Sequence, residues 1–113
     1  MKTAPNLTRQ LQLLDPQRVA DGAGGFTETW VVLGTLWAEM KPGTGRETSG
    51  PVTSVSRVPY RITVHGAPVG APSRPKAGQR FRDGTREFAV LAVTEADPLA
   101  RFLTCFAEEE VSP

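Results

Sequence analysis

The chain has one cysteine and one histidine in 113 residues, which excludes an internal disulfide framework, a Cys-rich zinc site and most His-based metal centres. No apolar run approaches the ~20 residues that a membrane helix needs. Met1 to Asn6 leads into no apolar stretch, so no signal peptide is expected, and the expected setting is the cytosol or a particle assembled there. Aromatic residues are few, at 7%, and no segment makes a convincing helix. Turn formers are abundant instead: 11 Gly and 10 Pro, still below the level that marks a low-complexity chain. The length suits one domain with one modest core.

Net charge is only +1, but it is unevenly spread. Residues 41–86 carry nine cations against two acids, whereas residues 87–113 carry one cation against six acids. Such polarity suits proximity to nucleic acid or head-to-tail packing of identical subunits, unless folding mixes the charges into an ordinary solvated surface.

The local patterns predict strands joined by turns. Leu7–Leu14 alternates apolar and polar residues as a strand does, although its leucine spacing also fits a short helix; Asp15-Pro16 is expected to end it. Asp21-Gly22-Ala23-Gly24-Gly25 reads as a hairpin turn. The β-prone segment Phe26–Trp30 follows, then Val31–Lys41, with Leu36, Ala38 and Met40 on one face and Gly34 marking a bulge or bend. Residues 42–57 are polar and form a long loop, the kind that is usually functional or disordered. Val58–His65 is the cleanest strand, with Val58, Tyr60, Ile62 and Val64 facing one way. Residues 66–78 hold too much proline for regular structure. Gln79–Arg82, the Asp83-Gly84 hairpin, Arg86–Glu95 and a last strand over Leu99–Ala107 complete six or seven strands. The fold expected is an all-β small barrel or sandwich with a long loop between its third and fourth strands. It forms a single domain, 1–113, with flexible ends at residues 1–6 and 108–113.

Little in the chain suggests catalysis. Cys105 lies in an apolar strand pattern, FLTCFA, and reads as a buried small hydrophobe where a reactive thiol needs exposure. His65 lies on the polar side of a strand, which suits a surface or interface. Glu108-Glu109-Glu110 reads as a solvated tail, because consecutive residues of an extended chain point apart and chelate poorly. The glycine cluster at 22–25 lacks the Lys-Ser/Thr pair of a phosphate loop and leads into a strand. Trp30 and Trp37 are the large anchors, with at least one expected in the core and the other suited to an interface. The basic stretch interleaves only Tyr60 and Phe81, both at core positions, so a base-stacking platform is disfavoured.

Taken in order, these segments resemble the phage head–tail joining family, the small β-barrel connectors of long-tailed bacteriophages and gene transfer agents. The resemblance runs from about Leu7 to Glu110. It is carried by LTRQLQLLDP, DGAGGFTETW, LGTLWAEMKP, GTGRETSG, YRITVH, QRFRDGTREFAVLAV and FLTCFAEEE. The proline-rich segment 66–78 and the end from Cys105 to Glu110 depart from it. The resemblance implies a head-closure or stopper subunit, without catalysis or cofactor and without membrane contact. It implies a ring of six or twelve copies beneath the portal and its adaptor, with a tail terminator on the other side and double-stranded DNA in the channel. The long loop between the third and fourth strands, residues 42–57, is implied to reach toward the channel or a neighbouring ring. Arg46, Glu47, Thr48, Ser49 and Arg57 are the loop residues expected to meet channel or partner. Arg61, Arg74, Lys76, Arg80 and Arg82 are expected interface charges, and ten arginines against three lysines suit planar ion pairing between subunits. Three other readings stay open: a tail-completion or terminator connector, a small nucleic-acid-binding barrel, and an enzyme using Cys105.

Overall fold

The computed structural model describes residues 4–43 and 56–111. Six strands, β1 (Arg9–Ala20), β2 (Phe26–Pro42), β3 (Ser56–His65), β4 (Arg80–Asp83), β5 (Arg86–Glu95) and β6 (Phe102–Val111), pair antiparallel throughout. The sheet closes on itself in the order β1-β2-β3-β6-β5-β4, as a barrel. The all-β expectation is borne out.

Strand alternation explains the core. Side chains two apart share a face, and the inward set is Leu11, Leu13, Ala38, Ile62, Val64, Phe81, Phe88, Val90, Leu103, Cys105 and Ala107. Leu36, Met40, Tyr60 and Val93 pack against this cluster from its margins. Phe81 and Phe88 sit opposite each other across β4 and β5 and are both fully buried, so one hairpin supplies the two largest core side chains. That hairpin turns on Asp83-Gly84, with Gly84 at φ 63°, a conformation that glycine adopts without a Cβ clash. In the first turn the Asp21 carboxylate accepts from the backbone N–H of Ala23 at 2.8 Å and of Gly25 at 3.1 Å.

Two bulges reshape the barrel. The β1–β2 register slips between Leu13 and Leu14, where Leu13 opposes Gly34 and Leu14 opposes Val32, leaving Leu33 as the extra residue. The slip falls beside Gly34, where a bulge or bend is expected. The β5–β6 register slips between Val90 and Ala92, which turns Leu91 outward at 53% exposure. This breaks the inward–outward alternation of β5.

Several expectations need correction. β1 does not end at Asp15-Pro16 but runs to Ala20, with Pro16 opposite Trp30. Beyond Leu14 β1 has no partner on its β4 side, and an edge strand tolerates the missing N–H of proline. β1 and β2 therefore leave the barrel together as a two-stranded arm. The radius of gyration, 15.6 Å, exceeds the ~13 Å of a compact domain of this size accordingly. Neither tryptophan enters the core cluster: Trp30 is half-buried on the arm, and Trp37 is 50% exposed. The long loop falls between the second and third strands, not the third and fourth, because Phe26–Pro42 is one continuous strand; it is also shorter than 42–57, since Pro42 closes β2 and Ser56 opens β3, and residues 44–55 lie outside the described residues. The acidic run Glu108–Glu110 is not a solvated tail but part of β6, with Glu109 buried.

The segment between β3 and β4 is anchored by close backbone approach. Gly66 N–H donates to the Arg101 carbonyl at 2.7 Å, and a Cβ at Gly66 would stand 2.1 Å from the Ala100 carbonyl oxygen. Gly66→Ala therefore requires backbone movement, and is expected to lower stability by about 1–3 kcal/mol, the usual cost of overpacking. A urea midpoint matching wild type within error would refute this.

Candidate assembly surfaces

The predicted charges fall on different parts of the molecule. Arg46, Glu47, Thr48 and Ser49 lie outside the described residues. Arg57 is not a loop residue: it sits in β3, exposed, opposite Glu110 of β6. Arg61, on the same outward face of β3, lies directly opposite Lys41 of β2 on one side and Phe106 of β6 on the other. Both cations are exposed, and Lys41 finds partial relief 3.6 Å from Glu39. Like charges directly across a sheet disfavour it slightly, but Glu39 of β2 and Glu108 and Glu110 of β6 share this outer face, so the wall carries charges of both signs.

The other predicted cations are mostly engaged within the chain. Arg80 and Arg82 both reach Glu87, at 3.0 and 3.5 Å. The Arg80 guanidinium also lies 4.1 Å over the ring of Trp30. Arg74 donates to the Ala67 carbonyl at 2.9 Å and helps hold the proline-rich segment, whereas Lys76 is exposed. The same segment is tied to β1, since the buried Gln79 donates from Nε2 to the Asp15 carboxylate at 2.9 Å. The structure thus brings Arg80 and Arg82 together and sets Arg57 and Arg61 on a separate wall.

One group was missed from the sequence. Arg86 grips Glu109 with two hydrogen bonds, 2.7 Å from Nε and 2.8 Å from Nη2, and reaches the Tyr60 hydroxyl at 3.1 Å. Its guanidinium also lies 5.1 Å from the centre of the Phe88 ring. The fork closes one end of the apolar interior. Its hydrogen bonds to Glu109 hold that carboxyl below the usual glutamate range, against the opposing effect of burial. The signal was present in the alternation Leu103, Cys105, Ala107, Glu109, which carries the glutamate onto the inward face. Burial pushes the Cys105 thiol up to about 12, so it stays protonated and offers no accessible thiolate.

A groove of about 470 Å³ opens at the base of the arm, between Pro16, Glu28 and Trp30 on one side and Ala77–Arg80 and Ala89–Leu91 on the other. A smaller one, about 200 Å³, lies on the arm's opposite face beneath Val69–Pro72. Among the described residues, no group of three or more His, Cys, Asp or Glu side chains is placed to hold a metal ion. The molecule presents surfaces for contact, in the form of a charged wall, an apolar arm and a groove.

Comparison with known proteins agrees with a role in assembly. The chain matches the phage head completion protein family over residues 2–110. It belongs to that family, a class of structural proteins of virions. A solved chain from the virion of a native gene transfer agent particle is 47% identical, with a TM-score of 0.85, and the match covers 97% of this chain and 100% of that one. No match was found among curated protein sequences.

The Arg86–Glu109 pair makes stability pH-dependent. Because the folded-state carboxyl titrates below its unfolded value, its contribution is complete above about pH 4.3 and is lost as pH falls through the folded value. Glu109→Gln is expected to cost about 1–2 kcal/mol near neutral pH, the range for a charged hydrogen bond whose cation is partly exposed. The gap to wild type should narrow in acid, and a gap independent of pH between 7 and 3 would refute the assignment.

Proposed function

We propose that this chain is a head–tail connector subunit of the stopper or head-closure type. It assembles as a ring beneath the portal and its adaptor, helps retain packaged double-stranded DNA, and offers the tail its docking surface. The observation that carries this reading is the near-complete match to the head completion family, together with 47% identity to a chain of a gene transfer agent virion.

The physical features support it. A ring needs a heterologous contact, one face meeting a different face of the next copy, and the arm and the groove are two such unlike faces. The wall of Lys41, Arg57 and Arg61, interleaved with Glu39, Glu108 and Glu110, offers single cations to a passing phosphate or to a partner's carboxylate. Its side chains would act on phosphates without reading sequence. The buried, protonated Cys105 removes the support for a thiol enzyme, so the proposed role is not catalytic.

Deletion of the gene in its native source, scored by electron microscopy, tests the reading. Separate tails beside tailless heads, filled or leaking, are expected; intact particles that still infect or transfer DNA would overturn it. A finer test uses the charged wall. Arg61→Thr relieves the opposition to Lys41, so stability should stay level or rise by a few tenths of a kcal/mol. DNA retained per particle should fall nonetheless. Normal DNA content with this variant incorporated would remove the wall from the DNA path.

A further inference from the structure

The arm leaves the barrel with its apolar side chains uncovered. Beyond the bulge only β1 and β2 pair, from Asp15–Val31 to Ala20–Phe26. A two-stranded ribbon is marginal in water on its own. Yet this one carries Val19, Phe26, Val31, Val32 and Leu33, each at least 39% exposed, with Phe26 at 62%.

Register divides the arm into two faces. Pro16 with Trp30, Arg18 with Glu28 and Ala20 with Phe26 share one face; Asp15 with Val31, Gln17 with Thr29 and Val19 with Thr27 share the other. The base of the second face is partly sheltered by the proline-rich segment, through Gln79 on Asp15. At the base of the first face Arg80 lies over the Trp30 ring and the ribbon forms one wall of the larger groove, whereas Phe26 at the tip is 62% exposed.

The two ends of the first face differ in chemistry. At the tip, the Arg18 guanidinium lies 4.7 Å over the Phe26 ring and makes a cationic aromatic knob. Arg18 turns to Phe26 although Glu28 stands opposite it, and among the described residues neither Arg18 nor Glu28 forms an ion pair. At the base, the groove offers apolar walls from Trp30, Ala89, Val90 and the outward Leu91, with Glu28 among its lining residues. Arg80, the cation of the groove, is already held by Glu87. What remains is an apolar slot at the base, a cation on an aromatic ring at the tip, and Glu28 between them, opposite Arg18 and at the groove's margin.

We infer that the arm is a subunit clasp: the Phe26–Arg18 knob of one copy inserts into the groove at the arm base of the next copy. Phe26 fills the slot against Leu91, and Arg18 meets the neighbour's Glu28. The contact joins unlike faces, so it propagates from copy to copy as a ring requires. The six residues Asp15–Ala20 project about 20 Å at the rise of a strand, comparable to the molecule's smallest dimension of 23 Å. The arm is therefore long enough to cross onto a neighbour. The occupant is a second copy because knob and groove are complementary in both charge and polarity within one sequence.

The inference rests on the connector reading, and the test separates the two. Purified particles are first assayed for the wild-type chain; its absence would sink the connector reading itself. Particles carrying Phe26→Cys with Leu91→Cys in one chain are then oxidised mildly and run on a non-reducing gel. Both positions are exposed, and the native Cys105 is buried. A ladder of covalent dimers, trimers and higher multimers is expected, absent from either single variant. Arg18→Cys with Ala89→Cys flanks the same contact and should reproduce it. Adding Glu28→Arg to the first pair should cut the ladder several-fold. Dimers from Phe26→Cys alone would mean tip-to-tip contact and overturn the clasp. So would cross-links only to a different particle protein, or incorporated chains of both pairs that form no ladder.

Discussion

The barrel closes through three residue pairs. Gln12, Leu13 and Leu14 of β1 meet Arg82, Phe81 and Arg80 of β4, and without that contact the six strands would form an open sheet with two free edges. The central pair joins Leu13 to Phe81, both buried in the core. Closure is thus secured by packing as much as by hydrogen bonds. Arg9 and Asp83 form an ion pair across the same seam, and Gln79 ties the seam's far end to Asp15. The position of the arm follows from this constraint. β1 must stay in register with β4 up to Leu14, and it is then released where the bulge at Leu33 redirects the ribbon.

Much of this was legible in the sequence because strands and turns have short-range signatures. The alternation of Tyr60, Ile62 and Val64, the Asp83-Gly84 turn and the glycine cluster after Asp21 each specify local geometry without help from distant residues. The bulge could be placed because glycine in a strand seldom has another reason to be there. What failed depended on tertiary context. Pro16 reads as a terminator until β1 is known to have an open edge. At least one of Trp30 and Trp37 reads as core until the strands carrying them are seen to run along an arm and an outer wall. Of the residues chosen as assembly charges, Arg57 and Arg61 share a wall, whereas Arg74, Arg80 and Arg82 are spent on internal contacts. That division depends on which strands become neighbours, and a linear charge count does not contain it.

The charge polarity along the chain has a similar resolution. The basic middle and acidic end look like opposite faces for neighbouring copies, but the barrel order places β6 between β3 and β5. Much of the polarity is therefore cancelled inside one subunit. Glu87 is shared by Arg80 and Arg82, Glu109 is held by Arg86, Asp97 pairs with Arg101, and Glu110 stands opposite Arg57. The cations left most concentrated on one wall are Lys41 and Arg61, which oppose each other.

A fold that needed only its barrel could end β1 at Leu14 and turn directly into the strand that pairs with it. Instead, the chain spends residues 15–33 on an extension that exposes large apolar side chains and adds nothing to the core cluster. Exposed apolar ribbons invite non-specific pairing, and natural sheets blunt such edges with charge, proline or strong twist. This arm carries Pro16, Arg18 and Glu28 on the face that also carries Phe26 and Trp30, so its apolar surface comes with charges of both signs at fixed places. That combination discourages indiscriminate association and favours one register with a complementary surface. A connector ring needs a contact of this kind: weak enough that subunits remain soluble before assembly, and specific enough that each added copy takes the same orientation as the last.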